Sequence, residues 1–401
     1  MPLLGSIQSR IFELMKKISA NYIFPGNIPP IKNGVLIIDN NGTIIDLLNP
    51  QKDEINWSEV EIHKGFICPG FINTHCHLEL SYLKNQIQEK TQLHGFIKEI
   101  IIKRNTFSEE DRNQAIIEAE LEMKKNGIVA VGDISNGNST FKQKEKGILH
   151  YHTFLEVFGS DPKIANDAFL QAENLYKLYY NSTRVSITPH ATYSVSDPLT
   201  LLINDHCITN KSLVSIHNQE TESENEFHKK GSGHLYNFLE IDKKTAFIAT
   251  GENALSSFLA KYKDLNHTLL VHNTFTDKDD IRWANKYNSD IYWAFCPNAN
   301  LYIENKLPNF ELFLNEKCTI GTDSYASNWS LSILDELKTI SKSSPNINLE
   351  TLIKWATFNG AEFLKFSHLG SFEIGKTPGI NLIENVNEMT LTEKSSIKVL
   401  A

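Results

Sequence analysis

The sequence has few cysteines, no excess of basic residues and no long apolar run. Its five cysteines are odd in number and scattered over 401 residues: Cys68, Cys76, Cys207, Cys296 and Cys318. This usage fits a reduced, cytoplasmic protein best. The net charge of −9 gives no support to binding of nucleic acid or a membrane surface. Polar and charged residues interrupt segment 1–24, so it lacks a signal-peptide core, and no stretch approaches the length of a membrane span.

Strand-like and helix-like segments alternate through the middle of the chain. Apolar and β-branched runs predict strands near residues 66–75, 128–133, 148–158, 184–189, 212–217, 267–272, 290–296 and 317–322. Between them, segments such as EEDRNQAIIEAELEMKKN space their apolar residues at helical intervals. About eight repeats of strand and helix predict an α/β fold, a (β/α)₈ barrel of the TIM type. A hydrophobic fraction of 41% supplies a sizeable core.

Histidines stand at the ends of several of these strands. His75 and His77 end an apolar run and are two residues apart, so in a strand both imidazoles point to the same face. The runs LVSIH and TLLVH end at His217 and His272, and CTIGTD ends at Asp323. Buried parallel strands deliver such side chains to one edge of a sheet. The pattern therefore predicts a cluster rather than scattered core histidines.

These side chains suit a divalent metal ion. Three neutral imidazoles and one carboxylate, from His75, His77, His217 and Asp323, favour a borderline cation such as zinc and leave a position for water. Such a cation lowers the pKa of water toward neutrality and supplies hydroxide. Asp323 would contact the metal and accept the proton of that water. His272 would either orient the hydroxide or ligate the metal directly.

Seven strings resemble the amidohydrolase superfamily, and within it the single-metal deaminase and chlorohydrolase branch. They run in the expected order from about residue 60 to 375: PGFINTHCH, TPHATYSVS, SIHNQETESE, LLVHNT, FCPNANLYI, GTDSYASN and WATFNGAEFL. The resemblance implies a small composite β-sandwich from residues 16–62 plus 371–401, beside a catalytic barrel over 63–370. In the first of these segments, Asn-Asn-Gly between two β-branched runs predicts a hairpin. The tail reads GKTPG, whereas the family usually has an acidic residue after GKxA.

The resemblance also indicates the reaction. No lysine stands at a strand end as a carbamate-bridged two-metal site requires, and the fourth strand is followed by His190. Single-metal members mostly replace an exocyclic amine, or sometimes a halide, on an electron-poor ring carbon. We therefore expect a metal-dependent hydrolase that acts on carbon–nitrogen bonds other than peptide bonds and releases ammonia. Its cofactor would be one divalent ion, Zn²⁺ or else Fe²⁺.

Glu220 is the expected proton carrier. It stands three residues after His217, and by resemblance the glutamate of HxxE in single-metal deaminases protonates a ring nitrogen of the substrate. The neighbouring Glu222, Glu224 and Glu226 are expected to be surface charges. The long loop over 218–235 is expected to be a lid over the pocket.

The segment after the histidine pair suggests the substrate. The string HLELSYLKNQIQEKTQLHGFIKEIIIKR resembles its counterpart in aminodeoxyfutalosine deaminases, which act on 5′-modified adenosines. Glu79 and Arg104 are candidates for binding a ribose hydroxyl and an acidic 5′ substituent, or else form a rim ion pair and a helix-surface charge. His190 is a candidate for stacking on the ring or hydrogen bonding to it. Glu156, at another predicted strand end, is a further candidate for the pocket.

Several alternatives stay open at this stage. The enzyme could deaminate a free base such as guanine or cytosine, or remove chlorine from a triazine-like ring. A barrel that has lost catalysis and serves as a scaffold is the alternative from another class, although such proteins lack metal ligands that this chain has. We expect a small-molecule substrate, and barrels of this type are often homodimers.

Overall fold

The computed structural model describes residues 15–239, 247–262, 267–287 and 290–401. Residues 1–14 lie outside these ranges, and with them most of the segment in which we find no signal-peptide core. In the described ranges, no helix combines the length and the apolar character needed to cross a membrane. The five cysteines are all buried, and none of them forms a disulfide.

The described residues form strands at both ends of the chain and alternating strands and helices between them. The strands are β1 Lys16–Ser19, β2 Tyr22–Ile23, β3 Ile31–Lys32, β4 Val35–Ile38, β5 Ile44–Leu48, β6 Val60–Ile62, β7 Phe66–Pro69, β8 Phe71–Cys76, β9 Ile128–Ser135, β10 His150–Val157, β11 Val185–Pro189, β12 Val214–Asn218, β13 Thr268–His272, β14 Ile291–Phe295, β15 Lys317–Ile320, β16 Ile380–Glu384 and β17 Ser396–Val399. The α-helices are α1 Gln92–Lys103, α2 Glu109–Lys125, α3 Phe141–Lys144, α4 Ala165–Tyr179, α5 Asp197–Asn210, α6 Glu222–Lys230, α7 His234–Phe238, α8 Ala254–Leu259, α9 Lys278–Tyr287, α10 Pro297–Glu304, α11 Ile333–Ser343, α12 Leu349–Ala356 and α13 Phe358–Phe363. Short 3₁₀ helices cover Trp57–Glu59, Leu78–Leu83, Pro162–Ile164 and Phe310–Phe313.

The middle of the chain builds two parallel sheets of four strands each. Their strand orders are β8-β9-β10-β11 and β12-β13-β14-β15, and every pairing within them is parallel. Helices separate consecutive strands, and most strand residues are buried, as expected where a parallel sheet is covered on both faces. The predicted α/β class is confirmed.

The two sheets meet at both of their outer edges. Between β11 and β12, the backbone N–H of His217 donates to the carbonyl of His190 at 3.0 Å. Between β15 and β8, the N–H groups of Thr322 and Asp323 both donate to the carbonyl of His75, at 3.1 and 3.0 Å. These bonds place the carboxyl ends of the outer strands side by side, which brings the strand-end side chains together.

The strands at the chain ends form two further sheets, in the orders β5-β4-β1-β6 and β17-β16-β7-β2-β3. The C-terminal β16 pairs antiparallel with β7, so the two ends of the chain fold together. The predicted hairpin is confirmed: β4 and β5 pair antiparallel, and Gly42 in the turn has φ of +79°. A second expectation is wrong, because the strand predicted near 66–75 is two strands. Gly70 separates them, and its N–H donates to Pro378 and Gly379 of the C-terminal segment.

Gly321 provides a test of the junction between β15 and β8. A Cβ at this position would lie 2.8 Å from Cβ and 2.9 Å from the carbonyl oxygen of His75, so the two strand ends would have to separate. We expect Gly321→Ala to lower the free energy of unfolding by about 1–3 kcal/mol, measured by urea titration. Gly137→Ala is the control, because nothing lies within 4 Å of its Cβ. Equal unfolding midpoints for both variants would contradict this account.

Candidate active site

The ends of four parallel strands supply a compact group of buried side chains. His75 lies on β8 and His77 directly follows it; His217 lies on β12, and His272 is the last residue of β13. Asp323 follows β15 by three residues. All five residues are buried. The structure thus brings together the residues that the sequence pattern placed in one cluster.

The imidazole nitrogens of three histidines converge on one point. Nε2 of His77 lies 3.2 Å from Nε2 of His75 and 3.3 Å from Nε2 of His217. Oδ1 of Asp323 lies 3.4 Å from Nε2 of His77 and 3.7 Å from Nε2 of His75. Ligands about 2.1 Å from a tetrahedral zinc ion stand about 3.4 Å apart. The spacing therefore fits one such ion.

The protonation of these groups also suits a cation. Burial lowers the pKa of His77 to about 3 and the pKa of His217 well below its usual value. Both imidazoles are therefore neutral near pH 7, so each has a ring nitrogen that can bind a cation. Nδ1 of His217 lies 2.8 Å from the carbonyl oxygen of His190, so Nδ1 carries the proton and Nε2 faces the site.

Asp323 is held with one oxygen toward the histidines. Ser327 donates its hydroxyl to Oδ2 of Asp323 at 2.5 Å, which leaves Oδ1 for the site. Burial raises the pKa of the Asp323 carboxyl, but the adjacent imidazoles of His75, His77 and His272 outweigh this effect and hold the pKa well below its usual range. The backbone of Asp323 has φ of +56°, a conformation that costs free energy and that its bond to His75 maintains.

Glu220 and His272 lie beside His75, His77, His217 and Asp323, which together form the candidate metal-binding cluster. Oε1 of Glu220 is 3.7 Å from Nε2 of His272, and both side chains are buried. Burial, followed by the negative charge of Asp323, raises the pKa of Glu220 well above its usual value, which favours the protonated acid. Nδ1 of His272 lies 2.9 Å from Oδ1 of Asn300, which fixes the imidazole ring with Nε2 directed toward Glu220.

The expectation for Glu224 is wrong. Its side chain is fully buried rather than exposed: Oε2 accepts the backbone N–H of Glu220 at 3.1 Å, and Oε1 accepts the hydroxyl of Thr192 at 2.7 Å. Burial raises the pKa of Glu224 to about 7. Glu222 is exposed and Glu226 is half-buried. The expected long loop over 218–235 is also wrong, since α6 and the start of α7 fill most of it.

A cavity of about 690 Å³ opens from the cluster. Its inner end is lined by His77, His217, Glu220, His272 and Asp323, and one wall is the apolar face of α1: Leu93, Phe96, Ile97, Ile100 and Ile101. His190 and Glu156 line it too. Burial lowers the pKa of His190 to about 4 and raises the pKa of Glu156 to about 7. Arg104, at the end of α1, is an exposed residue of the lining.

Glu79 is the predicted residue that the structure does not bring onto the cavity wall. Its two carboxylate oxygens accept the backbone N–H of Asn136 at 3.1 and 3.2 Å, and burial raises its pKa to about 7. The side chain of Asn136 donates to Oε2 of Glu156 at 2.9 Å. Glu79 is thus linked to the cavity through Asn136, which lines it.

One buried ion pair near the site was not anticipated. Nζ of Lys144 lies 2.5 Å from Oδ2 of Asp133, and Oδ1 of Asp133 accepts the backbone N–H of Leu78, the residue after His77. Asp133 therefore anchors the turn that carries His77. An acidic residue near the end of the apolar strand IVAVGDIS is a signal that sequence analysis could have used. Asn300 lies within FCPNANLYI, but the string assigns it no role.

Comparison with known proteins identifies the family. Residues 66–399 match the model of the amidohydrolase family. The chain belongs to this family. It is 29% identical to an aminodeoxyfutalosine deaminase of Nitratiruptor sp. over 84% of this chain and 83% of that protein. It is 25% identical to an adenosine deaminase of Helicobacter pylori over 83% and 82% of the two chains.

A solved structure supports the fold. Aminofutalosine deaminase of Helicobacter pylori in complex with methylthio-coformycin superposes with a TM-score of 0.78 at 23% identity, covering 94% of this chain and 93% of that one. The predicted family is confirmed, as is the prediction of a hydrolase that acts on carbon–nitrogen bonds.

The metal content of a His217 variant tests whether this cluster binds an ion. His217→Ala removes one of three converging nitrogens, so we expect the purified protein to lose most of its bound zinc, measured by plasma mass spectrometry after dialysis against a weak chelator. His150→Ala is the matched control, because His150 is an exposed histidine at the start of β10. Equal zinc content in both folded variants would show that the cluster does not hold the ion.

Proposed function

We propose that this protein is a single-metal deaminase that hydrolyses the adenine amino group of a 5′-modified adenosine. The observation that carries the proposal is the joint presence of three converging imidazoles, one carboxylate and a buried glutamic acid at the inner end of one large cavity. The relatives support the choice of substrate, because those compared above are named as deaminases of adenosine and of aminodeoxyfutalosine.

His75, His77, His217 and Asp323 would hold the metal, with zinc as the proposed ion and Fe²⁺ as the alternative. The spacing of their ligand atoms and the neutral state of His77 and His217 support this assignment. When bound, such an ion lowers the pKa of water and polarises it for attack on an electron-poor carbon.

The residues divide the proton transfers among themselves. Asp323, through Oδ1, accepts a proton from the attacking water, and Nε2 of His272 orients that water by hydrogen bonding. Glu220 gives its proton to the ring nitrogen next to the carbon that carries the amine, which makes that carbon a better electrophile. A carbon–oxygen bond forms, the carbon–nitrogen bond breaks, and the proton held by Asp323 leaves with the amine as ammonia. The second proton of the water passes from the new hydroxyl group to Glu220, which restores the acid and leaves a carbonyl on the ring. The raised pKa of Glu220 supports its role as the acid.

The cavity supports a substrate larger than a free base. Its volume of about 690 Å³ lies within the range of cavities that enclose drug-sized ligands. The wall formed by α1 would contact an apolar part of a 5′ substituent, and Arg104 would bind an acidic group on it. We propose His190 as a contact of the ring, and Glu156 with Glu79 as candidates for the ribose hydroxyls, Glu79 acting through Asn136 or after a change of rotamer.

We also infer a closed barrel, a composite β-sandwich and a cellular location for the protein. The bonds between β11 and β12 and between β15 and β8 support closure of the two parallel sheets into a (β/α)₈ barrel over residues 63–370. The pairing of β16 with β7 supports a composite β-sandwich from residues 16–62 plus 371–401, although β7 itself lies in that sheet. Five buried, unpaired cysteines support a cytoplasmic location. Homodimerisation remains a prediction.

The reaction can be tested by ammonia release from zinc-loaded protein. We expect strong turnover of one 5′-modified adenosine from a panel of aminodeoxyfutalosine, 5′-methylthioadenosine, S-adenosylhomocysteine and adenosine, and weak turnover of adenine, guanine and cytosine. Preference for a free base would overturn the substrate assignment. Chloride release from a chlorinated triazine without any deamination would favour the chlorohydrolase alternative.

The role of Glu220 is tested by Glu220→Gln, which keeps the size of the side chain and removes the acid. We expect kcat to fall by several orders of magnitude while zinc content stays at one ion per chain, since Glu220 is not among the proposed ligands. Glu222→Gln is the control, because Glu222 is exposed two residues further along. Unchanged kcat in Glu220→Gln would remove this residue from the mechanism.

A further inference from the structure

The carboxylate of Glu224 joins two of the loops that surround the cavity. On one side it accepts the N–H of Glu220, in the loop after β12. On the other side it accepts the hydroxyl of Thr192, in the loop after β11 that also carries His190. Thr192 in turn lies 3.0 Å from Nε2 of the buried His228. No other glutamate of α6 makes such a link within the described residues.

The loop that carries Glu220 is held from the opposite direction as well. Gln219 has φ of +46°, so its backbone is in a conformation that neighbouring groups must maintain. Its side-chain amide donates to Oδ2 of Asp280 at 2.8 Å and accepts the hydroxyl of Thr276 at 2.6 Å. Glu220 follows immediately, and its own N–H bonds to Glu224. The backbone at Glu220 is therefore fixed between two buried polar groups.

We propose that Glu224 is a positioning residue. It holds the backbone of Glu220, and therefore the acidic side chain of Glu220, in a fixed position relative to the loop that carries His190. The proposal rests on the proposed function, in which Glu220 is the acid. Glu224 does not itself line the cavity and does not belong to the group of converging histidines, so it acts only through the groups that it binds. A displacement of about 1 Å at a reacting group costs about 100-fold in rate.

A purely structural role for Glu224 is the competing explanation. Glu224 lies in the first turn of α6, where a carboxylate also interacts favourably with the helix dipole. In that case its loss would lower stability without a specific effect on Glu220. The two explanations differ in how the effects of Glu224 and Glu220 substitutions combine, and in what happens to the backbone amides of the loop.

The experiment compares Glu224→Ala, Glu224→Asp and Glu224→Gln in the full-length zinc-loaded protein, with Glu222→Ala as the exposed control on the same helix. For Glu224→Ala we expect kcat for the best adenosine of the panel to fall about 100-fold, with zinc content unchanged and KM within about threefold. Glu224→Asp keeps the charge but is one methylene shorter, so it should lose activity as well. Glu224→Gln keeps an acceptor for the N–H of Glu220 and should recover most of the rate.

Two further measurements separate the explanations. Hydrogen–deuterium exchange of the amides of Gln219 and Glu220 should be at least about tenfold faster in Glu224→Ala, or in Glu224→Asp if the alanine variant does not fold, and unchanged in Glu222→Ala. The double variant Glu220→Gln/Glu224→Ala should be no slower than Glu220→Gln alone, because the second change acts through the first residue. Unchanged exchange, or rate losses that add in the double variant, would overturn the proposal.

The outcomes also distinguish a failure of this inference from a failure of the proposed function. If Glu220→Gln retained full activity, Glu220 would not be the acid, and both would fail. If Glu220→Gln were inactive while Glu224→Ala kept both normal exchange and normal kcat, the proposed function would stand and only the positioning role of Glu224 would be wrong.

Discussion

The site depends on three imidazole nitrogens, with Nε2 of His77 lying 3.2 Å from that of His75 and 3.3 Å from that of His217. Burial keeps His77 and His217 neutral, so each has a ring nitrogen that can bind a divalent cation. The carboxyl edge of a set of parallel strands brings side chains from distant parts of the sequence together in a small volume. The fold can therefore be understood as the scaffold that makes this one arrangement possible.

The arrangement also explains why the backbone is strained where it is. His272, Asp323 and Gln219 all have positive φ, and each sits at or just after the end of a strand that supplies a side chain to the site. Such conformations cost of order 1–3 kcal/mol each and persist only where neighbouring groups hold them. Ser327, Asn300 and Asp280 are those neighbouring groups, and each binds a site residue or the residue beside it.

The sequence could predict the strand ends because the required information is local. An apolar run followed by histidine or aspartate shows both the strand and the side chain that it delivers, which is why the positions of His75, His217 and Asp323 could be anticipated. It could not predict Glu224, because a glutamate in a polar stretch between Glu222 and Glu226 looks exposed. Its burial depends on Thr192, about 30 residues earlier, and this contact exists only once β11 and β12 lie side by side.

The break at Gly70 escaped prediction for the same reason. The run from Phe66 to Ile72 has no polar side chain and reads, with the residues up to His75, as one strand, yet its first half pairs with β16, more than 300 residues later in the chain. What divides it is a backbone bond from Gly70 to the C-terminal segment. Local pattern thus specifies which residues form strands, whereas the division of strands among sheets depends on partners that are distant in sequence.

The cavity separates the chemistry of the reaction from the choice of substrate. The buried histidines, Asp323 and Glu220 lie at its inner end, while the wall provided by α1 is apolar and has Arg104 at its end. These two parts come from different elements: the inner end from strand termini, and the wall from a helix that supplies no member of the cluster. Substitutions on α1 can therefore alter which ligand fits the cavity without disturbing the buried groups at its inner end.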